Sequence, residues 1–234
     1  EFVPPEALDA FRNYMDERRS ALICGVFIGE PGQAYFNSAV GSAPDATQWQ
    51  RYSKQQLVPF GEFIPWGFRW FVDLMQMPIG DQQRGRADQL PMELAGQRIS
   101  VNICYEDLFG HVIRRAWHDP KQEPTIMLNL SNLAWFEDSI ALPQHLQISR
   151  MRALETQHPM LRATNTGATA IIDATGTVVA QLPTNTAGAL DGIVQGQGGL
   201  TPFLRHGNVP ALVLCALMLA LAGAITRTAG RRAQ

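Results

Sequence analysis

The sequence predicts an α/β fold in which strands alternate with helices, followed by one C-terminal transmembrane helix. Apolar runs of strand length alternate with amphipathic segments of helical length, which is the order that builds layered α/β domains. A stretch of 20 uncharged residues, 207–226, then matches the length of a helix that crosses a bilayer. Apolar residues make up 46% of the 234 residues and charged residues only 17%, which excludes a disordered or fibrous chain.

The N-terminal part of the chain predicts a helix followed by two strands. Residues 5–19 suit a helix because prolines stand in its first turn, acids near its positive end and two arginines at its negative end. The unbroken apolar run 21–29 predicts a buried strand. The alternating segment 34–40 predicts a second strand.

The alternation continues through the rest of the domain, which we expect to cover residues 1–203. Three more strands and two more helices are predicted, the strands over 98–103, 125–130 and 168–173 and the helices over 108–117 and 142–157. Residues 171–182 predict a hairpin that turns near 174–176.

The uncharged segment 207–226 predicts a membrane helix, because 20 residues of helix span about 30 Å, the thickness of the hydrocarbon core. A buried C-terminal helix is the alternative, although such a helix usually keeps a polar stripe. Three arginines in the tail 227–234, against Arg205 before the span, favour a cytoplasmic C-terminus. The preceding domain is then expected on the outer side of the membrane.

Charge and cysteine content exclude other classes of protein. Nineteen basic and 21 acidic residues give a net charge of −2 without a run of like charge, so nucleic acid is not an expected partner. The three cysteines, Cys24, Cys104 and Cys215, stand too far apart for a disulfide framework or a zinc pattern. No metal site is expected.

The first candidate for chemistry is Cys104, which follows a predicted strand and precedes a predicted helix. The N–H groups at such a helix start can lower the pKa of a thiol and bind an oxyanion. The alternative is a small apolar residue packed at a strand end. Glu106 and Asp107 favour the functional interpretation, because two acids directly after an apolar strand belong on a surface or in a cleft.

The second candidate is Lys54, just before a loop rich in proline and glycine. A lysine beside a thiolate can stabilise the oxyanion of acyl transfer. Glu62, eight residues later, can orient that lysine or act as a base. A solvated strand lysine is the alternative. Lys54 and Glu62 together with Cys104 supply the three residue types that a Cys–Glu–Lys acyl-transfer site requires, which favours the functional interpretation.

Three segments carry a resemblance to a known family: YSKQQLVPFGEFIP, ISVNICYEDLFG and the long segment that begins NLSNLAWFEDS. They resemble the nitrilase (carbon–nitrogen hydrolase) superfamily and, more narrowly, the apolipoprotein N-acyltransferase family within it. The resemblance covers almost the whole chain and implies a nitrilase-like α-β-β-α sandwich. It also implies a bacterial inner-membrane enzyme whose catalytic domain is periplasmic.

The resemblance further implies a reaction and the residues that perform it. The family moves an acyl chain from a phospholipid, through a cysteine thioester, to the N-terminal amine of a diacylglyceryl-cysteine lipoprotein, and needs no cofactor. The match places the nucleophile on Cys104 and the oxyanion-binding lysine on Lys54. Glu62, Tyr105 and Glu106 match residues that support the site.

The general-base glutamate of the family has no match in this chain. Glu1 stands too close to the first helix and lacks the surrounding motif, so the role is not carried onto it. We expect the base upstream of residue 1, and we expect residues 1–234 alone to be inactive. Two alternatives follow: an amidase or nitrilase that uses the same cysteine and lysine with water, and an inactive membrane-tethered domain.

Large apolar side chains between residues 66 and 71 predict a lipid-facing arm beside the site. Its members are Trp66, Phe68, Trp70 and Phe71. Tryptophan favours membrane interfaces because its ring is apolar and its N–H is polar. An amphipathic core helix with Trp70, Leu74 and Met77 at helical spacing is the equal alternative.

Overall fold

The computed structural model describes residues 5–29, 35–44, 46–74 and 82–232. Glu1 and the first residue of the predicted strand 34–40 lie outside this part of the chain. The α-helices within it are α1 (Pro5–Arg18), α2 (Arg69–Leu74), α3 (Gly110–Ile113), α4 (Ala141–Thr156), α5 (Pro202–His206) and α6 (Val209–Arg232). Short 3₁₀ helices cover Cys104–Leu108, Arg114–Trp117 and Ala134–Phe136. The strands are β1 (Leu22–Ile28), β2 (Phe36–Ser42), β3 (Gln50–Ser53), β4 (Met92–Leu94), β5 (Gln97–Ile103), β6 (Ile126–Ser131), β7 (Met160–Thr164), β8 (Ala170–Ile172) and β9 (Val178–Gln181).

The strands form two sheets. The smaller is antiparallel, with the order β1-β2-β3. The larger has the order β4-β5-β6-β7-β8-β9, in which β5, β6 and β7 run parallel and the other neighbours run antiparallel. Because the three central strands are parallel, their C-terminal ends meet at one edge of the sheet, where ligand sites form in such folds.

Two apolar cores hold the layers together. The first lies between the sheets, where Ala39 and Tyr52 of the small sheet pack with strands of the large one. Leu128 belongs to this core, whereas its neighbour Met127 belongs to the second, because successive strand residues point to opposite faces. In the second core, Met127 packs with Ala153 of α4 and the helices around it. The large sheet is therefore covered on both faces, as parallel strands require.

The predicted α/β class and several of its elements are confirmed. The predicted helices 5–19 and 142–157 correspond to α1 and α4, and the predicted strands 98–103 and 125–130 correspond to β5 and β6. The predicted hairpin exists as the antiparallel pair β8 and β9. These elements share strong local patterns, which determine secondary structure with little help from the rest of the chain.

Other details of the prediction are wrong. The apolar run 21–29 does form β1, but its residues are half-buried or exposed, since β1 lies at the edge of the small sheet. The predicted helix 108–117 is broken into two 3₁₀ helices around α3, because the backbone of Phe109 is extended. The sequence also does not predict β3, β4 or β7, which are short and lack a clear alternation.

The C-terminal helix α6 follows α5 almost directly. Thr201 caps α5 by accepting a hydrogen bond from the backbone N–H of Leu204 at 3.2 Å. The apolar side chains of α6 from Val209 to Ile225 are exposed. In the described part of the chain no helix combines the length and the apolar character needed to cross a membrane, so the predicted span 207–226 is not confirmed.

Candidate active site

Cys104 lies at the edge of the large sheet where β5 ends. Its backbone is left-handed, with φ of 51°, a conformation that costs a residue other than glycine about 1–3 kcal/mol. The Cys104–Leu108 3₁₀ helix begins at this residue, and the side chain is half-buried. Such a strained backbone persists only when the surrounding contacts hold it, and those contacts involve most of the predicted site residues.

Lys54 directly follows β3 and is fully buried, with no exposed side-chain surface. Its Nζ lies 2.7 Å from Oε1 of Glu62. The second oxygen of Glu62 accepts a hydrogen bond from the backbone N–H of Val58 at 2.8 Å, and Asn37 donates to the first at 3.3 Å. The alternative of a solvated strand lysine is therefore wrong. A buried ammonium group of this kind needs a carboxylate partner, and Glu62 supplies it.

The environment of the Cys104 thiol combines opposing influences. Burial raises the pKa of Cys104 above its ordinary value and is the dominant effect. The positive charge of Lys54 and a hydrogen bond from the backbone N–H of Tyr105 lower this pKa, while the negative charges of Asp107 and Glu62 raise it. Lys54 and the Tyr105 N–H group thus both act on the sulfur. The resting thiol keeps its proton at neutral pH.

Glu106 joins the Lys54 segment to the end of β5. Its carboxylate is fully buried and accepts four hydrogen bonds. The donors are the hydroxyl of Tyr52 at 2.9 Å and the backbone N–H groups of Gln55 at 2.6 Å, Gln56 at 3.0 Å and Ile103 at 2.7 Å. Burial raises the pKa of Glu106, and these donors oppose that rise. Since Gln55 and Gln56 follow Lys54, this carboxylate brings the Lys54 segment near Cys104, which lies 50 positions later in the sequence.

Tyr105 contributes mainly its backbone to the site. Its N–H group lowers the pKa of the Cys104 thiol, while its ring packs edge-on against Phe109 with the centroids 4.9 Å apart. The ring is half-buried. The structure therefore brings four predicted residues, Lys54, Glu62, Tyr105 and Glu106, around Cys104 by direct contact or through one another.

A second buried network, which the sequence analysis missed, lies beneath Cys104. Asp107 is fully buried, and its carboxylate accepts a hydrogen bond from Ser149 at 2.5 Å. Arg162 lies 3.4 Å from the same carboxylate and also contacts Ser149. His145 Nε2 lies 3.1 Å from the other oxygen of Asp107. The acids after β5 are therefore buried rather than on the surface. Donors from distant segments hydrogen-bond to both oxygens of Glu106 and to Oδ2 of Asp107, whereas Oδ1 of Asp107 has no hydrogen-bond donor within the described part of the chain.

One sequence signal points to this network. His145 and Ser149 stand four residues apart on α4 and so share a helix face. Arg162, on β7, has no such local signal, because its partner Asp107 lies 55 positions away. Another arginine of α4, Arg152, forms a separate ion pair with Glu155 on the same helix, at 3.0 Å.

The four residues predicted to face lipid all have side chains that are exposed on the surface. Trp66 is 99% exposed and Trp70 66%, while Phe68 and Phe71 are exposed to lesser extents. Phe68 packs edge-on against Phe60 with the ring centroids 5.4 Å apart, which ties this segment to the loop that carries Glu62. The core-helix alternative is wrong for Trp70 and for Leu74, which is 72% exposed.

Across residues 5–29, 35–44, 46–74 and 82–232, no three side chains of His, Cys, Asp or Glu come together as a possible metal site. Lys54 pairs instead with Glu62, and Arg162 pairs with Asp107.

Comparison with known proteins gives a family for this geometry. Residues 3–198 match the family model described as carbon-nitrogen hydrolase. The chain is 52% identical over 228 residues to a protein named apolipoprotein N-acyltransferase from Ralstonia nicotianae, an alignment that covers 97% of this chain and 44% of that protein. It is 43% identical over 237 residues to the protein of the same name from Nitrosomonas europaea, covering 99% and 46%. The chain thus spans less than half the length of these curated relatives.

Solved structures share the fold at low sequence identity. The crystal structure of a carbon-nitrogen hydrolase from Helicobacter pylori G27 aligns with a TM-score of 0.59 and 15% identity, covering 76% of this chain and 64% of that one. The C. elegans NitFhit protein aligns with a TM-score of 0.60 and 20% identity, covering 77% and 43%. At this identity the likeness shows the nitrilase-like fold alone. Because the family match extends over most of the chain and agrees with this fold, the chain belongs to the carbon–nitrogen hydrolase family.

Proposed function

We propose that this chain provides the catalytic domain of an apolipoprotein N-acyltransferase. In the proposed reaction, an acyl chain passes from a phospholipid to the N-terminal amine of a diacylglyceryl-cysteine lipoprotein through a thioester on Cys104. The observation that carries the proposal is the buried ion pair of Lys54 with Glu62. The positive charge of Lys54 in this pair lowers the pKa of the Cys104 thiol at the sheet edge. The 43–52% identity to proteins of that name supports the choice of reaction.

In the first step the sulfur of Cys104 attacks the ester carbonyl carbon of the phospholipid. The new C–S bond places negative charge on the carbonyl oxygen, and the thiol proton passes to a base. Lys54 and the Tyr105 N–H group, which both act on the sulfur, stabilise that oxygen. Cleavage of the ester C–O bond then releases the lysophospholipid as an alcohol, which takes up the proton, and leaves the acyl group as a thioester.

In the second step the α-amine of the lipoprotein attacks the thioester carbonyl. The same two donors stabilise the second oxyanion. The C–S bond breaks, the amine loses a proton, the Cys104 thiol is restored and the acyl chain becomes an amide. No step uses a metal or a diffusible cofactor.

The proton acceptor of the first step is not assigned to a described residue. Burial keeps the thiol protonated, so a base is required. Glu62 is engaged by Lys54 and the Val58 N–H group, and four donors occupy Glu106. Both carboxylates therefore hold the site together. The expected base upstream of residue 1 stays a prediction.

The product distinguishes the proposed reaction from its alternatives. The intact protein is incubated with a phospholipid that carries a labelled acyl chain and with a diacylglyceryl-cysteine peptide. We expect the label in an amide on the peptide, and no label on a control peptide whose amine is acetylated. Labelled fatty acid as the only product would instead indicate a hydrolase. Absence of both products would indicate an inactive domain.

We also propose that two exposed apolar surfaces of this chain contact lipid. One is the aromatic segment of Trp66, Phe68, Trp70 and Phe71. The other is α6, whose apolar side chains are exposed around its whole circumference, as expected for a helix surrounded by hydrocarbon. The three arginines in the last two turns of α6, which follow its apolar stretch, favour a cytoplasmic C-terminus with the domain in the periplasm of a bacterial inner membrane.

Tryptophan fluorescence tests the lipid contact of the aromatic segment. Trp70→Phe is expected to decrease the fraction of tryptophan fluorescence that brominated phospholipids quench, because the substitution removes one of the exposed tryptophans proposed to contact lipid. Trp117→Phe is the matched control. Trp117 is buried, so its loss is expected to increase the quenched fraction. A quenched fraction that Trp70→Phe leaves unchanged would contradict the proposed contact.

A further inference from the structure

We propose that Asn129 and His145 are positioning residues that orient the peptide between Cys104 and Tyr105, so that the N–H group of Tyr105 faces the reacting centre. Neither side chain contacts the Cys104 sulfur or the reacting atoms in this assignment. The inference rests on the proposed acyl transfer, because it concerns the group that binds the oxyanion of that reaction.

The carbonyl oxygen of Cys104 receives two side-chain donors. Asn129 Nδ2 lies 3.2 Å from it and His145 Nε2 lies 3.3 Å from it. The carbonyl and the Tyr105 N–H belong to one planar trans peptide, in which they point in opposite directions. Holding the carbonyl toward Asn129 and His145 therefore holds the N–H on the opposite side of this peptide, from which it lowers the pKa of the thiol.

Asn129 is itself held rigidly within β6 by hydrogen bonds to two neighbouring side chains. It is fully buried, and its Nδ2 donates to Asn102 Oδ1 at 2.6 Å. Ser131 donates to its Oδ1 at 2.6 Å. Because a backbone carbonyl can only accept, the atom of Asn129 that faces the Cys104 carbonyl is the amide nitrogen, and Oδ1 is left to accept from Ser131. This orientation is what a donor to that carbonyl requires.

His145 is held in the matching tautomer. Arg162 Nη2 lies 2.9 Å from His145 Nδ1, and a guanidinium group can only donate, so Nδ1 accepts and Nε2 carries the proton. Arg162 is in turn fixed by the Asp107 carboxylate and by the carbonyl of Ala168. The buried ion pair beneath the site thus holds the imidazole in the tautomer whose Nε2–H faces the Cys104 carbonyl at 3.3 Å. Asp107 Oδ1 lies 3.1 Å from the same Nε2 but accepts no hydrogen bond from it, so the carbonyl is the acceptor.

The strained backbone of Cys104 explains why such support is needed. Its φ of 51° is unfavourable for a residue with a β-carbon, so the peptide that follows it tends to rotate away. Rotation would remove the Tyr105 N–H from the oxyanion. Removal of an oxyanion donor slows acyl transfer by about 10²–10³-fold. Loss of one of two orienting contacts is expected to have a smaller effect, of about 10-fold to 100-fold.

The test compares two reactions of Cys104 in the intact protein. Burst acylation by p-nitrophenyl acetate passes through an oxyanion, whereas alkylation by iodoacetamide does not. His145→Leu removes the donor, and His145→Gln keeps an N–H donor at a similar position. Asn129→Leu is the second variant. Alkylation is measured at its high-pH plateau, where the thiol is fully ionised and its pKa no longer affects the rate.

We expect His145→Leu to slow acylation by about 10-fold to 100-fold while the plateau alkylation rate stays within about 3-fold of wild type. His145→Gln is expected to recover most of the acylation rate. Unchanged acylation in both leucine variants would overturn the inference. An equal loss of acylation and alkylation that glutamine does not rescue would also overturn it, since that pattern indicates a purely structural role.

Failure of the proposed function gives a different result. A wild-type protein that is acylated on Cys104 by p-nitrophenyl acetate but passes no acyl group to the amine of a diacylglyceryl-cysteine peptide would contradict N-acyl transfer. The positioning inference is then still decided by the acylation and alkylation rates of the variants.

Discussion

Replacing Cys104 by alanine is expected to lower acyl transfer by roughly 10⁶-fold, the scale of losing a covalent nucleophile. No thioester can form without the sulfur, on which the charge of Lys54 and the Tyr105 N–H group act. The measurement is mass spectrometry of the intact protein after incubation with phospholipid. The wild type is expected to carry one acyl group on Cys104 that hydroxylamine removes, and the variant is expected to carry none.

The other two cysteines are matched controls for this experiment. Cys24 lies within β1, and burial raises its pKa, which suppresses its reactivity. Cys215 lies on α6. Cys24→Ala and Cys215→Ala are each expected to retain the acyl adduct and full activity. An adduct on another residue, or a Cys104→Ala variant that stays active, would show that the chemistry takes place elsewhere.

The second large effect is expected for Lys54→Met, which should slow acylation of Cys104 by about 10²–10³-fold. Methionine keeps the volume of the buried side chain but removes the positive charge that would stabilise the oxyanion. The same charge lowers the pKa of Cys104, so the variant should also shift the pH midpoint of iodoacetamide alkylation upward. If the variant keeps both the wild-type acylation rate and the wild-type midpoint, Lys54 neither stabilises the oxyanion nor lowers the pKa of Cys104.

The partner of Lys54 allows the stability effect to be separated from the catalytic effect. Lys54→Met leaves Glu62 without its counter-ion, and removing one partner of a buried pair costs about 3–5 kcal/mol, here at the low end because Glu62 is 15% exposed. We expect urea unfolding to show that Lys54→Met/Glu62→Gln regains much of this stability without regaining acylation. Arg86→Ala breaks an exposed pair with Asp88 and should change neither property. A double variant that is no more stable than Lys54→Met would contradict this account of the pair.

The sequence alone determined the features that depend on local patterns. The periodicity of α1 and α4, the apolar runs of β5 and β6 and the hairpin of β8 and β9 follow from residues that are neighbours along the chain. The position of Cys104 at a strand end follows from the same kind of pattern. Lys54 and Glu62 could be proposed as a pair because only eight positions separate them, within reach of one loop.

Local patterns also misled in identifiable places. An apolar run such as 21–29 indicates a strand but not its place in a sheet, so edge strand β1 was expected to be buried. Two acids after a strand were expected on a surface or in a cleft, yet Glu106 and Asp107 are fully buried. In both cases the solvent exposure depends on segments that pair with these residues from far along the chain.

Tertiary structure decided how the site is held together. Glu106 meets Gln55 across 51 positions of sequence, and Asp107 meets Arg162 across 55. Asn129 and His145 reach the Cys104 carbonyl from a neighbouring strand and a covering helix. Hydrogen bonds and ion pairs of this kind form only after the sheets assemble, because their geometry is set by strand order and helix packing. Strand order and helix packing cannot be predicted from residue type and spacing along the chain.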